Sequence, residues 1–129
     1  MKVVDASALV EILLGTPRGE RADSIIGDDA GAAPELICVE VTSAIARLVR
    51  AGAVGAADAE RAIAVFERTE VDLVPQRDLI GAAWALRDRV RITDAFYVAC
   101  AKTLDAELVT CDGPLSRAPL PDIVIRYVT

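Results

Sequence analysis

The 129-residue sequence contains no histidine, and that absence closes several routes at once. Without an imidazole there is no Ser-His-Asp triad, no Cys-His pair and no zinc site of the His/Cys type. Acid–base or metal chemistry must then run on carboxylates, hydroxyls, Lys or Arg. Cysteine is scarce as well: Cys38, Cys100 and Cys111 cannot all pair within one chain, and none stands in a C-x-x-C arrangement. Cys38 and Cys100 fall in apolar helical surroundings, so the sequence predicts buried free thiols and a reducing, cytoplasmic setting. Long hydrophobic runs are missing too, since charges interrupt every apolar stretch short of the roughly 18 residues that span a bilayer. Asp5 and Glu11 break the opening MKVVDASALVEILLG, where a secretory leader needs an unbroken apolar region. No targeting segment and no membrane partner are expected.

What remains is a chain built to fold. Hydrophobic residues make up 53% of it, with only 8 Gly and 6 Pro, a composition that excludes disorder. Its length predicts one domain, residues 1–129, with a substantial core. The net charge of −6 excludes a generally basic nucleic-acid-binding surface. A local basic patch stays open, because 12 of the 14 basic residues are Arg and several cluster. Acidity gathered in one cleft would point to divalent cations.

Apolar strands and amphipathic helices alternate along the chain. The strand segments are Lys2 to Asp5, Ala30 to Ala33, Val71 to Val74, Glu107 to Thr110 and Ile123 to Val128. Helices are expected from Ala6 to Leu14 and from Pro17 to Ile26. A long one opens at Pro34 and runs to about Arg50, where Ala51-Gly52 supplies a glycine stop. Ala56 to Arg68, Leu79 to Arg89 and Asp94 to about Leu104 complete the set, the last capped by Thr93; Asp112-Gly113-Pro114 is a turn. This alternation predicts an α/β fold with right-handed crossovers and a mostly parallel sheet between helices. Ligands gather beyond the carboxyl ends of such strands.

Four acids fall near that edge. Asp5 ends the first strand, Asp112 lies two residues past the apolar end of the fourth, and Asp94 begins a helix. Each also has an ordinary structural reading, as a helix cap, a first-turn acid or a turn residue. Glu40 is more informative. It sits within the apolar stripe Ile37, Val41, Ala44, Ile45 and Leu48, where a carboxylate is costly unless paired or metal-bound. Arg47 is the structural partner on offer; the alternative is a shared cation. Four carboxylates without histidine form an oxygen-only site suited to Mg²⁺ or Mn²⁺. A cation there can activate water and stabilise charge developing on a phosphodiester. Ser7 and Thr110 place hydroxyls near the same strand ends, although capping is the common role for Ser7. Arg87, Arg89 and Arg91, with Arg117 after Asp112, are candidates for phosphate contacts, because guanidinium binds phosphate bidentately.

Together VVDASAL, PELICVEVTSAIARL and ITDAFYVACAKTLDAELVTCD resemble a PIN domain, and more closely the VapC-type toxins of bacterial VapBC toxin–antitoxin pairs. The resemblance covers essentially the whole chain. It implies a PIN-like three-layer sandwich with about five strands in a mostly parallel sheet. Asp5, Glu40 and Asp94 match the family's core acids, Asp112 its more variable fourth acid, and Thr110 the hydroxyl just before it. The implied activity is Mg²⁺- or Mn²⁺-dependent endoribonuclease cleavage of RNA, leaving a 3′-hydroxyl and a 5′-phosphate. The implied assembly is a homodimer with a VapB-type antitoxin whose C-terminal segment lies across the groove. The N-terminal helices and Ala56 to Arg68 are candidate interfaces, with plain core packing as the other reading.

Rival classes meet specific obstacles. A haloacid-dehalogenase-type phosphatase needs a second acid two residues after the first, where this chain has Ser7. A response-regulator receiver needs an Asp ending a middle strand, but VDLV runs into Pro75 and Gln76. A DNA nuclease is chemically possible, since carboxylates act at phosphate rather than at the 2′-hydroxyl. The non-enzymatic alternative is a PIN-like module that binds RNA or a partner without cutting; loss of one acid would mark it, and none is lost.

Overall fold

The computed structural model describes residues 1–129. Five strands form one sheet: β1 (Lys2–Val4), β2 (Gly31–Pro34), β3 (Val71–Val74), β4 (Glu107–Thr110) and β5 (Ile125–Tyr127). Their order is β3-β2-β1-β4-β5, and every pairing is parallel. The helices are α1 (Ala6–Leu14), α2 (Pro17–Ile26), α3 (Ile37–Arg50), α4 (Ala56–Arg68), α5 (Ile80–Ala85), α6 (Ile92–Leu104) and the single turn α7 (Gly113–Ser116). No helix is long and apolar enough to cross a membrane.

Chain direction explains the layers. Moving from β1 to β2 to β3 steps the sheet one way, so right-handed crossovers place α1 to α4 on one face. The step from β3 to β4 runs back across β1, which puts α5 and α6 on the opposite face. The contacts agree: α1 packs on α2, α3 and α4, while α6 packs on α5 and against β1, β2 and β4. Both faces of the central strands are thereby covered, and Val3, Val4, Ala32, Ala33, Leu108 and Val109 are buried. Small residues on α6, among them Ala95 and Ala99, let it lie close to the sheet. The crossovers diverge between β1 and β4, so a crevice opens there at the carboxyl edge.

Several expected boundaries shift. Pro34 does not open the long helix. It ends β2 in register with Val74, and α3 begins at Ile37. A proline lacks a donor, and the end of a strand tolerates that as well as a helix start does. The expected helix over Leu79 to Arg89 is a 3₁₀ segment, Gln76–Leu79, followed by the short α5. Arg87, Arg89 and Arg91 therefore lie on the irregular segment before α6. Thr93 is not a cap, since α6 starts at Ile92 with Arg91 in the capping position. Asp112-Gly113-Pro114 is the start of α7, with Asp112 as its cap, rather than a simple turn. Gly52, with φ +75, provides the left-handed stop just after α3. Of the cysteines, Cys100 and Cys111 are buried, but Cys38 is exposed because its position on α3 faces away from the apolar stripe; all three are free thiols.

Candidate active site

Asp5 lies at the junction of the two central strands. Its backbone amide continues the sheet by donating to the Val109 carbonyl at 3.1 Å. Its side chain, only 4% exposed, accepts from the Ala8 amide at 3.0 Å and so caps α1. The same Oδ1 accepts from Ser7 Oγ at 2.7 Å, and Oδ2 accepts from Thr110 Oγ1. Each hydroxyl also receives a bond: Cys111 N donates to Ser7 Oγ at 2.9 Å, and Asp112 N to Thr110 Oγ1 at 2.9 Å. Ser7 and Thr110 are not caps here. They are rivets that fasten the end of β1 to the end of β4 through one carboxylate.

Burial pushes the Asp5 carboxyl up to about 6 from an ordinary 3.8, and the charge of Asp94 adds to the rise. The bonds from Ser7, Thr110 and Ala8 pull the other way without cancelling it. Asp94 stands in the first turn of α6, with its side chain 16% exposed. Arg91 grips it, Nε to Oδ2 at 3.1 Å and an Nη donor to Oδ1 at 3.5 Å. Asp94, with Asp112 and Glu40 at longer range, holds the Arg91 guanidinium still more firmly in its charged form. Asp112 caps α7 by accepting from Leu115 N at 3.0 Å. Glu40 is half-buried in the first turn of α3, and neither Arg47 nor any other basic side chain pairs with it within 4 Å.

The four acids thus share the carboxyl edge at the β1/β4 crevice, within electrostatic reach of one another or of Arg91. No three of them converge as a ready-made ion cage. The donor chemistry still fits a hard divalent cation, because the set is all oxygen and Asp5 is a carboxylate whose ionisation burial opposes. Beside the acids is a groove of about 520 Å³ lined by Arg87, Arg89, Arg91, Asp94 and the α7 residues Pro114 and Leu115. At its margin Arg87 stacks over the exposed Trp84 ring at 4.6 Å, and Arg89 donates to the Pro119 carbonyl at 3.2 Å. Arg117 lies on another side, with its guanidinium over Gly113 next to the Tyr127 hydroxyl.

One residue escaped the sequence reading. Tyr97, three positions after Asp94 on α6, is 1% exposed, and its hydroxyl has no hydrogen-bond partner. Burial drives its pKa above the usual range, helped by Glu40 and then by Asp5 and Asp94, so the phenol faces the acid cluster. The available signal was the i,i+3 spacing from Asp94, which puts both side chains on one face of the helix.

The PIN domain family model matches residues 2–120. Ribonuclease VapC3 of Mycobacterium tuberculosis is 37% identical over 119 residues, covering 90% of this chain and 85% of that protein. Ribonuclease VapC9 of the same organism is 36% identical over 116 residues, covering 90% and 89%. Among solved structures, a toxin–antitoxin complex from Klebsiella pneumoniae superposes with a TM-score of 0.74 over the whole of both chains, at 17% identity, a likeness of fold. With the parallel sheet, the acids at its carboxyl edge and relatives of this similarity, the chain belongs to the PIN-domain family, among its VapC-type members.

Proposed function

We propose that the chain is the ribonuclease toxin of a toxin–antitoxin pair and cuts RNA with a divalent-metal site built on Asp5, Glu40, Asp94 and Asp112. The observation that carries this reading is Asp5: a carboxylate buried at the strand crossover, with a second acid, Asp94, raising its pKa from the neighbouring helix. A fold keeps such an arrangement at a cost in stability, and functional sites are where that cost is found. The ribonuclease names of VapC3 and VapC9 support the substrate class.

In the reaction, water bonds to phosphorus and the P–O3′ bond breaks, leaving a 3′-hydroxyl and a 5′-phosphate; the proton lost by water is balanced by the one the 3′ oxygen gains. Asp5, Glu40, Asp94 and Asp112 would hold Mg²⁺ or Mn²⁺, which would supply water activation and neutralise charge at phosphorus. Ser7 and Thr110 fix the Asp5 carboxylate so that it cannot rotate away. Arg91, with Arg89 and Arg87 along the groove, binds backbone phosphates on one side of the scissile bond, and Arg117 does so near Asp112. Arg91 passes from Asp94 to phosphate when RNA arrives, because three-quarters of its side chain is exposed and free to swing. A VapB-type antitoxin and a second copy of the chain complete the proposed assembly; the Klebsiella relative in fold comes from a toxin–antitoxin complex.

The test is incubation of antitoxin-free protein with total cellular RNA and Mg²⁺ or Mn²⁺, followed by mapping of new ends. Discrete cuts bearing 5′-phosphate are expected, absent with EDTA and in Asp94→Asn. Persistence of cleavage in EDTA would reject the metal site. RNA binding without cutting, by protein with a bound divalent ion, would move the chain to the non-cleaving class.

A further inference from the structure

The buried side of the site contains two groups that each lack what the other offers. Tyr97 has a hydroxyl proton and no acceptor. Glu40 has a carboxylate that no donor reaches at full hydrogen-bond distance and no basic partner, and it is the acid that acts most strongly on Tyr97. The other two acids near the phenol are already engaged. Asp5 accepts from Ala8, Ser7 and Thr110, and Asp94 is gripped by Arg91. A phenylalanine would fill the same space without leaving a polar atom unmet in the core. The ring explains the packing; the hydroxyl needs another reason.

We infer that Tyr97 is a positioning residue for Glu40: when the site holds a cation, its hydroxyl would donate to the Glu40 carboxylate and keep it in place as a ligand. The inference rests on the metal-site reading above. Glu40 is the acid with the longest side chain and the least restraint, since it neither caps a helix nor meets a counter-ion. Three torsions separate its carboxylate from the α3 backbone, and one directional bond from a rigid, buried ring removes most of that freedom. Tyr97 is rigid because α6 is held against β1, β2 and β4, and its phenol keeps its proton throughout the working pH range. Such outer partners orient ligating carboxylates and set how tightly they hold metal.

Calorimetric titration of the full chain with Mn²⁺ at pH 7.5 tests this, using wild type, Tyr97→Phe, Glu40→Gln and the double variant. Tyr97→Phe should weaken Mn²⁺ binding about tenfold or more, with unfolding in EDTA unchanged or slightly later. In cleavage of an RNA oligonucleotide its kcat should fall while KM stays put. The double variant should bind no more weakly than Glu40→Gln alone, because the hydroxyl then has nothing to position. Unaltered Mn²⁺ affinity in Tyr97→Phe, beside a wild type that binds Mn²⁺ and cuts RNA, would overturn the role of Tyr97 and leave the metal site standing. Fully additive losses in the double variant would also overturn it. A wild type that binds no Mn²⁺ would remove the metal site and this inference together.

Discussion

Asp5 shows how one residue serves the fold and opposes it. It caps α1 and joins β1 to β4, yet it does so with a charge that burial disfavours. Unfolded, the carboxyl titrates near 3.8; folded, near 6. The native state therefore holds the proton more tightly, and between these values stability falls as pH rises. Above pH 6 the full penalty remains, about 3 kcal/mol at 1.36 kcal/mol per pKa unit. An asparagine keeps the cap and the acceptor for Ser7 without the charge. In EDTA at pH 7.5, Asp5→Asn should unfold at higher urea than wild type, by up to about 3 kcal/mol, and the gap should close near pH 4. Equal midpoints at pH 7.5 would show that Asp5 is not strained in the metal-free fold. The asparagine variant should at the same time be inactive, which separates what this carboxylate does for chemistry from what it does for stability.

Among the elements, the tightest junction is between α1 and α2. A Cβ on Gly19 would stand 2.0 Å from the Glu11 carbonyl oxygen, a backbone atom that cannot yield without moving the end of α1. Gly19→Ala should cost about 3 kcal/mol or more, read as a lower urea midpoint. Gly31→Ala, where nothing lies within 4 Å, is the control and should be close to neutral. Equal effects at the two glycines would mean that the junction is looser than it looks. Gly19 also marks where sequence legibility ends. The five strands, α1, α2 and α4 were readable because apolar runs, periodicity and caps all pointed the same way. Pro34 was misplaced because proline suits a helix start and a strand end equally, and only the pairing with Val74 decides. The Leu79 to Arg89 helix broke up because Leu79, Ala83 and Leu86 find the core while Arg87, Asp88 and Arg89 turn to solvent. The strand-end acids were legible, as alternation of strands and helices gathers them at one edge. Tyr97 was not: a buried aromatic in an apolar helix looks like packing until its hydroxyl is found without a partner.

For the whole molecule, the question is how a chain of net charge −6 meets an RNA strand. On the proposed function, its surface repels the polymer in general and the groove of Arg87, Arg89 and Arg91 beside Asp94 is the place that would receive it. Affinity should fall steeply with salt through a few contacts. Each of Arg89→Ala and Arg91→Ala should make the log–log salt slope shallower by about 0.7, the value per phosphate on a single strand. Binding titrations on Asp94→Asn, which is expected not to cut, from 50 to 200 mM salt, provide the measurement. An unchanged slope would take that arginine out of the path.

The bond from Thr110 to Asp5 spans 105 residues of chain. β1 cannot take its place between β2 and β4 until β4 has been made, and Ser7, Thr110 and Asp112 meet only at that moment. At a synthesis rate of roughly 5–20 residues per second, that is about 5 to 20 s after Asp5 is joined to the chain. On the proposed function, a growing chain on the ribosome, surrounded by RNA, has no assembled site with which to cut it until Thr110 and Asp112 have joined Asp5.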